Sequence, residues 1–211
     1  MATMDSRVWD DRYAASELVW SAGPNAMVAE LTGDLPPGRA LDLAAGEGRN
    51  AIWLAERGWD ATAVDFSAVA MERARRIGDE RLGTADAGRL TTVAADVLRW
   101  AASGTAYDLV LVIFLHLPEA QRRVVHRRAA DALAPGGMLL VLAHDRSNLD
   151  GGVGGPQDPE ILPTPEEVVG DLDGIPGLSV DRSEVILRPV VTDDGERMAR
   201  DCLVVAQRQR G

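Results

Sequence analysis

A glycine turn after a short apolar strand is the part of this sequence whose residue types point most directly to chemistry. Residues 41–50 read Leu-Asp-Leu-Ala-Ala-Gly-Glu-Gly-Arg-Asn, with Asp42 near the end of the strand and Gly46 and Gly48 in the turn. A turn without side chains lets a ligand approach the main chain, and the helix that begins behind it offers unpaired N–H groups. The pattern therefore predicts a site for a nucleotide-like ligand at the carboxyl end of a strand in an open α/β sheet.

Two kinds of ligand compete for this turn. A dinucleotide site follows the pattern Gly-x-Gly-x-x-Gly with an acid about 20 residues further on, and Gly46, Gly48 and Asp65 match it. The third glycine is replaced by Ala51, and the fixed charge of Asp42 is unfavourable beside a pyrophosphate. S-adenosylmethionine (SAM) carries an amino group and a sulfonium but no phosphate, so the carboxylate favours SAM. An NAD(P)-dependent oxidoreductase stays the alternative, although the sequence has no lysine for a tyrosine–lysine catalytic pair.

Five segments resemble, in order and spacing, the motifs of the class I SAM-dependent methyltransferases. These segments are residues 41–50, 63–67, 94–97, 107–111 and 133–138. Residues 9–13 and 24–25 also resemble the start of the tellurite-resistance and thiopurine methyltransferase-like group of small-molecule enzymes. The resemblance implies methyl transfer from SAM to a thiol, metalloid oxyanion, phenol or heterocycle, with S-adenosylhomocysteine as product and no metal. A SAM-binding protein without catalytic activity is the non-enzymatic alternative.

The resemblance places the cofactor along the ends of the first three strands. It implies that Asp42 and the glycine turn hold the amino-acid half of SAM, that Asp65 accepts both ribose hydroxyls, and that Asp96 accepts the adenine amine. Each carboxylate also has an ordinary structural explanation as a turn or helix cap, for example before a helix at 97–101. Phe66 either stacks on adenine or packs in the core. The predicted cofactor contacts are Trp9, Arg12, Tyr13, Asp42, Ala44, Gly46, Gly48, Asn50, Asp65, Phe66, Ser67, Asp96, Val97 and Ile113.

Histidines are the candidates for removing a proton from the methyl acceptor. His116 follows the fourth strand, where the family resemblance places residues that flank the methyl group. His144 ends the fifth strand, with Asp145 beside it. The unperturbed pKa of a histidine, about 6.5, suits proton removal near neutral pH. An alternative for His116 is a hydrogen bond to the main chain that positions its loop.

The remaining candidates concern the substrate and the protein surface. His126 lies in a helix among arginines and is predicted to be a surface residue, and the arginines of residues 122–128 are predicted to form a solvated face rather than an anion site. The predicted substrate contacts are Trp20, Phe114 and Arg146. Aromatic residues can enclose a sulfonium by cation–π contact, which predicts an N-terminal lid, with core anchors as the alternative. The lid residues are Trp9, Arg12, Tyr13 and Trp20.

Strands and helices that alternate along the chain must position these residues. This alternation predicts an α/β fold with a mostly parallel sheet and helices on both faces. The resemblance makes it a Rossmann-like methyltransferase fold with seven strands and a C-terminal antiparallel hairpin. The predicted strands are 39–43, 60–64, 90–94, 107–114, 138–143, 179–187 and 202–207, and the predicted helices are 25–31, 49–57, 68–77 and 119–133. Ser67 is the predicted cap of the helix 68–77, residues 135–137 are a predicted turn, and residues 189–199 are the predicted connection between the last two strands. A single domain is expected over 1–211, with a lid and helix (1–35), a cofactor-binding core (36–143) and a substrate loop with the last strands (144–211).

The composition limits the partners. A formal net charge of −11 argues against nucleic acid and anionic membranes, and leaves a small molecule as the predicted partner. All 22 basic residues are arginine, which indicates a GC-rich bacterial genome and excludes Schiff-base chemistry on lysine. The single Cys202 cannot form an internal disulfide. The sequence shows no signal peptide and no apolar run long enough to span a membrane, which predicts a cytoplasmic protein.

Overall fold

The computed structural model describes residues 23–102, 106–193 and 195–210. The predicted lid residues lie outside this part of the chain, so their roles stay predictions; they are Trp9, Arg12, Tyr13 and Trp20. The chain divides into two compact units, one that ends at Leu109 and one that begins at Val110.

Seven strands form one mixed sheet in the described part of the chain. They are β1 (Arg39–Leu43), β2 (Asp60–Asp65), β3 (Leu90–Ala94), β4 (Tyr107–Ile113), β5 (Leu133–His144), β6 (Leu178–Thr192) and β7 (Gly195–Arg208). Their order is β3-β2-β1-β4-β5-β7-β6; β2 pairs in parallel with β1 and β3, and β7 pairs antiparallel with β5 and β6. The helices of the same described residues are α1 (Ala26–Thr32), α2 (Arg49–Glu56), α3 (Ala68–Asp86), α4 (Glu119–Asp131) and α5 (Pro165–Leu172). The predicted α/β fold with a C-terminal antiparallel hairpin is confirmed.

In the unit that ends at Leu109, the register of the parallel strands brings the acidic candidates to one edge. Asp42 in β1 pairs with Ala63 in β2. Asp65 is the last residue of β2 and pairs with the last residue of β3, Ala94. Because parallel strands end at the same edge of a sheet, the turn after β1 and the Asp65 carboxylate lie next to each other. This edge is where open α/β sheets bind their ligands.

The helix α1 begins one residue later than predicted and is fastened to α2. The Asn25 side chain caps α1 by accepting the main-chain N–H of Met27 at 2.9 Å. The main-chain N–H of Asn25 donates to Oδ1 of Asn50 at 2.9 Å, and Asn50 lies in the first turn of α2. The buried Asn50, a predicted cofactor contact, therefore also joins the two helices.

The helix α3 is longer than predicted. The prediction ended it at 77, before Gly78, because glycine is a poor helix former. In the structure the helix continues through Gly78, where a side chain would collide with Leu90 of β3, and it has a non-helical residue at Gly83. The glycine at 78 therefore permits close helix–strand packing. The helix at 97–101, which was the alternative explanation of Asp96, does not form; a short turn lies there instead.

In the unit that begins at Val110, the hairpin is longer than predicted and one helix was missed. Residues 189–199, predicted as the connection, are part of β6 and β7, which pair up to Thr192 and Gly195. The strand β5 begins at Leu133 instead of 138 because residues 135–137, predicted as a turn, are part of the strand. The missed helix, α5, begins with a capping box in which Thr164 and Glu167 each bind the other's main-chain N–H.

Candidate functional site

The turn after β1 holds an unusual backbone conformation. Ala44, Gly46 and Gly48 have φ angles of 58°, 55° and 74°. A non-glycine residue in this left-handed region is uncommon and marks turns or strained functional positions. The main-chain N–H of Gly46 donates to Oδ2 of Asp65 at 2.9 Å, which ties the turn to the end of β2.

Gly48 is required both by its conformation and by its neighbour. A Cβ at Gly48 would lie 2.9 Å from Cβ of Ala74 in α3, closer than two carbons can pack. We expect Gly48→Ala to lower the free energy of unfolding by roughly 1–2 kcal/mol for the left-handed backbone and by roughly 1–3 kcal/mol for the collision. Gly174→Ala is the matched control, because Gly174 has a φ of 73° but no atom within 4 Å of its Cβ position. Urea unfolding measures both; equal losses would contradict the steric argument.

Asp42 is a buried carboxylate with one unsatisfied oxygen. It is 2% exposed, and its Oδ2 has no hydrogen-bond partner among the described residues. Burial raises the pKa of Asp42 to about 7, opposed by the positive charge of Arg49 and by hydrogen bonds from the Ala51 main chain and the Asn50 side chain, and reinforced by the charge of Asp65. An orphaned buried acceptor is the group that a donor from a ligand or a bound water would satisfy.

The raised pKa of Asp42 predicts an unusual pH dependence of stability. Above about pH 4 the unfolded chain carries this carboxylate ionised, whereas the folded chain keeps its proton up to about pH 7. Asp42 therefore stabilises the fold at low pH, and this contribution is lost as the pH rises through 7. We expect the free energy of unfolding of Asp42→Asn, relative to that of wild type, to increase by roughly 3 kcal/mol between pH 5 and pH 8.

The measurement is urea unfolding of both proteins at the two pH values. Any fixed cost of the amide cancels in the comparison between pH values. Asp34→Asn, at an exposed position, is the control and should show no such growth. An Asp42→Asn difference that is independent of pH would contradict the prediction.

Asp65 is buried and already organises the main chain around it. Its Oδ2 accepts the N–H of Gly46 and its Oδ1 accepts the N–H of Ser67, both at 2.9 Å. Ser67 caps α3 as predicted, since its Oγ accepts the N–H of Ala70 at 3.1 Å. A carboxylate offers about four acceptor positions, so Asp65 can take hydroxyl donors in addition to these main-chain groups. The neighbouring Phe66 is half-buried, and both of its predicted roles stay open.

The predicted adenine contacts follow β3. Asp96 is exposed, and its Oδ1 accepts the N–H of Leu98 at 2.9 Å, which shapes the short turn that replaces the predicted helix. Val97 is buried in this turn. Sequence analysis did not single out Glu47, which is 3% exposed and binds Arg73 of α3 at 2.7 Å. This ion pair joins the glycine turn to α3. In the sequence, the sign of such a role is the position of a charged residue between the two glycines of the turn.

In the other unit, two histidine rings stack beside Phe114. The His116 and His144 ring centroids are 5.5 Å apart and nearly parallel, and the Phe114 ring lies 5.0 Å from His144. Phe114 has a φ of 54°, a strained value for a bulky residue. The main-chain N–H of His144 donates to Nε2 of His116 at 3.1 Å, so this nitrogen carries no proton and is occupied. Burial, with the charge of His144, lowers the pKa of His116 to about 4 although Asp201 opposes the shift.

His144 contacts a carboxylate that sequence analysis did not name. Its Nδ1 lies 3.1 Å from Oδ1 of Asp201, a fully buried residue of β7, although the contact is not aligned as a linear hydrogen bond. Arg188 donates to the other Asp201 oxygen at 2.6 Å and lies over the Phe114 ring. We call Phe114, His116, His144, Arg188 and Asp201 the histidine cluster. Asp145, the neighbour noted in the sequence, instead accepts the N–H of Ser147 at 2.8 Å.

Comparisons with known proteins agree with this fold. A structure from work on the conversion of a disulfide bond into a thioacetal group during echinomycin biosynthesis is 19% identical, with a TM-score of 0.74 over 97% of this chain and 91% of that one. TehB from Haemophilus influenzae is 15% identical, with a TM-score of 0.71 over 95% of this chain and 67% of TehB. The N-methyltransferase NodS from Bradyrhizobium japonicum WM9, solved with S-adenosyl-L-homocysteine, is 17% identical, with a TM-score of 0.67 over 96% of this chain and 98% of NodS.

The segment that contains the glycine turn is similar in sequence to a known protein family. Residues 40–137 match a family model described as a methyltransferase domain. The predicted resemblance to the class I SAM-dependent methyltransferases is thereby confirmed for this segment. A comparison with curated protein sequences finds no match. At these identities the structural likeness establishes the fold alone.

The loop after β5 is held in place by hydrogen bonds within the unit that begins at Val110. Arg146, a predicted substrate contact, donates to both carboxylate oxygens of Glu167 at 2.7 and 2.8 Å. Asn148 donates to the main chain of Gly154 and accepts the N–H of Arg200. A substrate role for Arg146 stays a prediction and would require its ion pair with Glu167 to open. Ile113, a predicted cofactor contact, is buried at the end of β4.

Two predictions about α4 are wrong. His126, predicted at the surface, is 3% exposed, and its Nδ1 lies 3.0 Å from Oδ2 of Asp171 in α5. Arg122, predicted on a solvated face, is 4% exposed and donates from Nε to the same oxygen at 2.7 Å. The Asp171 carboxylate is fully buried, so the face of α4 that carries Arg122 and His126 packs against α5. Charged residues can be buried in this way only when they are paired.

Across 23–102, 106–193 and 195–210, no group of three His, Cys, Asp or Glu side chains is arranged to hold a metal ion. Among the helices of those residues, none combines the length and apolar character needed to cross a membrane.

Proposed function

We propose that this protein transfers a methyl group from SAM to a small-molecule acceptor. The observation that carries the proposal is the glycine turn between two buried carboxylates, Asp42 and Asp65, inside the segment that matches a methyltransferase domain. The match of residues 40–137 to a methyltransferase domain supports the coarser part of the proposal, which is SAM-dependent methylation. The activity and the acceptor class are the proposal, because a fold alone does not establish function.

The residues around the turn fit the chemistry of SAM. The unsatisfied Oδ2 of Asp42 suits a donor that reaches it directly or through water, such as the amino group of SAM. Asp65 suits a pair of ribose hydroxyls because it can accept further donors, and we propose Asp96 and Val97 as the adenine contacts. A pyrophosphate at the same turn would lie beside the charge of Asp65 and beside a buried carboxyl, Asp42, that ionises near pH 7, which disfavours a dinucleotide.

The bound cofactor supplies a methyl group already activated by its sulfonium. The protein therefore has to align the acceptor and exclude water, and such positioning can supply roughly 7–11 kcal/mol of the barrier. We propose Phe114, Trp20 and Arg146 as substrate contacts and the N-terminal aromatic residues as the lid. The net charge of −11 supports a small acceptor over nucleic acid. Thiols, metalloid oxyanions, phenols and heterocycles are the candidate acceptor classes.

Calorimetric titration with S-adenosylhomocysteine tests the cofactor assignment. NADH and NADPH serve as controls in the same buffer. Binding of S-adenosylhomocysteine at about micromolar Kd, with neither nicotinamide nucleotide bound, is the expected result. Saturable binding of NADH or NADPH with none of S-adenosylhomocysteine would overturn the proposal in favour of an oxidoreductase. Binding of the cofactor without turnover of any acceptor class would favour a SAM-binding regulator instead.

A further inference from the structure

A buried carboxylate in the histidine cluster is held between a histidine and an arginine. Asp201 is fully buried, with Oδ1 3.1 Å from Nδ1 of His144 and Oδ2 2.6 Å from Nε of Arg188. Burial alone would raise the pKa of Asp201, but the contacts from His144 and Arg188 outweigh it and hold that pKa below its ordinary value. The carboxylate is therefore negatively charged and fixed in orientation beside the imidazole.

The rest of the cluster fixes the His144 ring on its other sides. His116 stacks on it and accepts the main-chain N–H of His144, so His116 itself has no accepting nitrogen to offer at Nε2. A Cβ at Gly155, which has a φ of 76°, would lie 2.9 Å from Nε2 of His144, so only glycine leaves room for the ring there. The side chain of His144 is 12% exposed, which leaves it partly accessible.

We propose that Asp201 is a positioning residue that holds the proton of neutral His144 on Nδ1, so that Nε2 accepts a proton from the methyl acceptor. The acceptor is accordingly a neutral molecule with an O–H or N–H group, such as a phenol or an N–H heterocycle. This inference rests on the proposed function and narrows its substrate class. It assigns the two histidines different tasks: His144 moves a proton, whereas His116 shapes the cluster.

The transfer balances with these groups. The oxygen or nitrogen of the acceptor forms a bond to the methyl carbon while the bond between that carbon and the cofactor sulfur breaks, and its electron pair stays on sulfur. The acceptor proton moves to Nε2 of His144. One positive charge is lost from the sulfonium and one appears on the imidazolium, where the adjacent Asp201 carboxylate stabilises it. Water takes the proton from His144 after the product leaves.

The charges around the cluster disfavour an acceptor that arrives as an anion. A thiolate or an oxyanion needs a positive partner when it is desolvated. The positively charged side chain of the histidine cluster is Arg188, and it is paired with Asp201. On the loop after β5, Arg146 is committed to Glu167. An uncharged acceptor that loses its proton during transfer requires no such partner.

The tautomer of His144 tests the positioning role without any substrate. Because the sequence has three histidines, ¹⁵N-detected imidazole spectra of the full-length protein are assigned with the variants His116→Gln, His126→Gln and His144→Gln. At about pH 8, where a histidine is ordinarily neutral, we expect His144 to carry its proton on Nδ1 and to have an unprotonated Nε2. A wild-type His144 protonated on Nε2 overturns the proposal.

Two variants separate positioning from general structural damage. In Asp201→Asn the amide can donate to Nδ1, and we expect the His144 proton to move to Nε2. Asp145→Asn is the matched control, because asparagine still caps the turn at Ser147, and its His144 tautomer should equal the wild type. An unchanged tautomer in a folded Asp201→Asn protein overturns the positioning role. S-adenosylhomocysteine titration of the same samples reports separately on the proposed function.

Methylation assays with a phenol, an N–H heterocycle and an aliphatic thiol as probes test the substrate class. We expect product on oxygen or nitrogen, and a kcat at least about 100-fold lower in Asp201→Asn with the KM for SAM little changed, as for loss of proton transfer. Methylation confined to the thiol overturns the inference. A fall in kcat in Asp145→Asn as large as that in Asp201→Asn overturns it as well.

Discussion

Asp65→Ala should weaken S-adenosylhomocysteine binding at least about 100-fold. Hydrogen bonds to an ionised group contribute about 1.5–3 kcal/mol each, and two ribose hydroxyls would lose them together. A loss of about 2.7 kcal/mol already corresponds to 100-fold in Kd. The same substitution removes the acceptor of the N–H groups of Gly46 and Ser67, so the turn also loses support. Calorimetric titration of the variant measures the effect, with thermal unfolding as the check on folding.

Two further variants separate ligand binding from support of the turn. Asp65→Asn keeps the shape and one acceptor oxygen, so its Kd should lie between those of wild type and Asp65→Ala. Asp60→Ala, at the exposed beginning of the same strand, should bind like wild type. If the folded Asp65→Ala protein bound S-adenosylhomocysteine within about threefold of wild type, Asp65 would not be the ribose ligand.

Asp171→Ala should cause a large loss of stability, about 3–5 kcal/mol in the free energy of unfolding. The buried carboxylate of Asp171 accepts from Nε of Arg122 at 2.7 Å and lies 3.0 Å from Nδ1 of His126. Burial tends to raise the pKa of Asp171, but these partners outweigh it and hold that pKa below its ordinary value. Its removal leaves the guanidinium of Arg122, at 4% exposure, with a longer contact of 3.4 Å to Glu167 in place of the 2.7 Å bond to Asp171.

Urea unfolding followed by circular dichroism measures the loss in Asp171→Ala. Asp173→Ala is the matched control, because Asp173 follows two residues later and is exposed. It should change the free energy of unfolding by less than about 0.5 kcal/mol, as is usual for surface positions. A loss below about 1 kcal/mol in Asp171→Ala would show that Arg122 and His126 find other partners or reach water.

The features that the sequence predicted well depend on short-range patterns. The strand 39–43, the glycine turn and the Ser67 cap each follow from residues within a few positions of one another. The burial of His126 depends on Asp171, which is 45 residues away and lies on a helix that was not predicted. The capping box at Thr164 and Glu167 was visible in the sequence as Thr-Pro-Glu-Glu, and it was the signal for that helix.

The histidine cluster shows the same limit. The sequence placed His144 at the end of a strand and offered Asp145 as its neighbour. The contact with Asp201 arises because β5 and β7 pair with His144 opposite Asp201. Strand register cannot be read from either strand alone, because both are apolar runs and a shift of one residue remains compatible with that pattern.

The pairing of His144 with Asp201 also determines where this chain tolerates changes in length. Side chains alternate between the two faces of a strand, so one residue inserted between Asp201 and Gln207 would turn the carboxylate to the opposite face unless a bulge absorbed it. An insertion after Thr192, where β6 and β7 meet, would lengthen only the connection. Natural variation in the length of this hairpin should therefore concentrate at its tip, and segments exchanged with related proteins should be joined there.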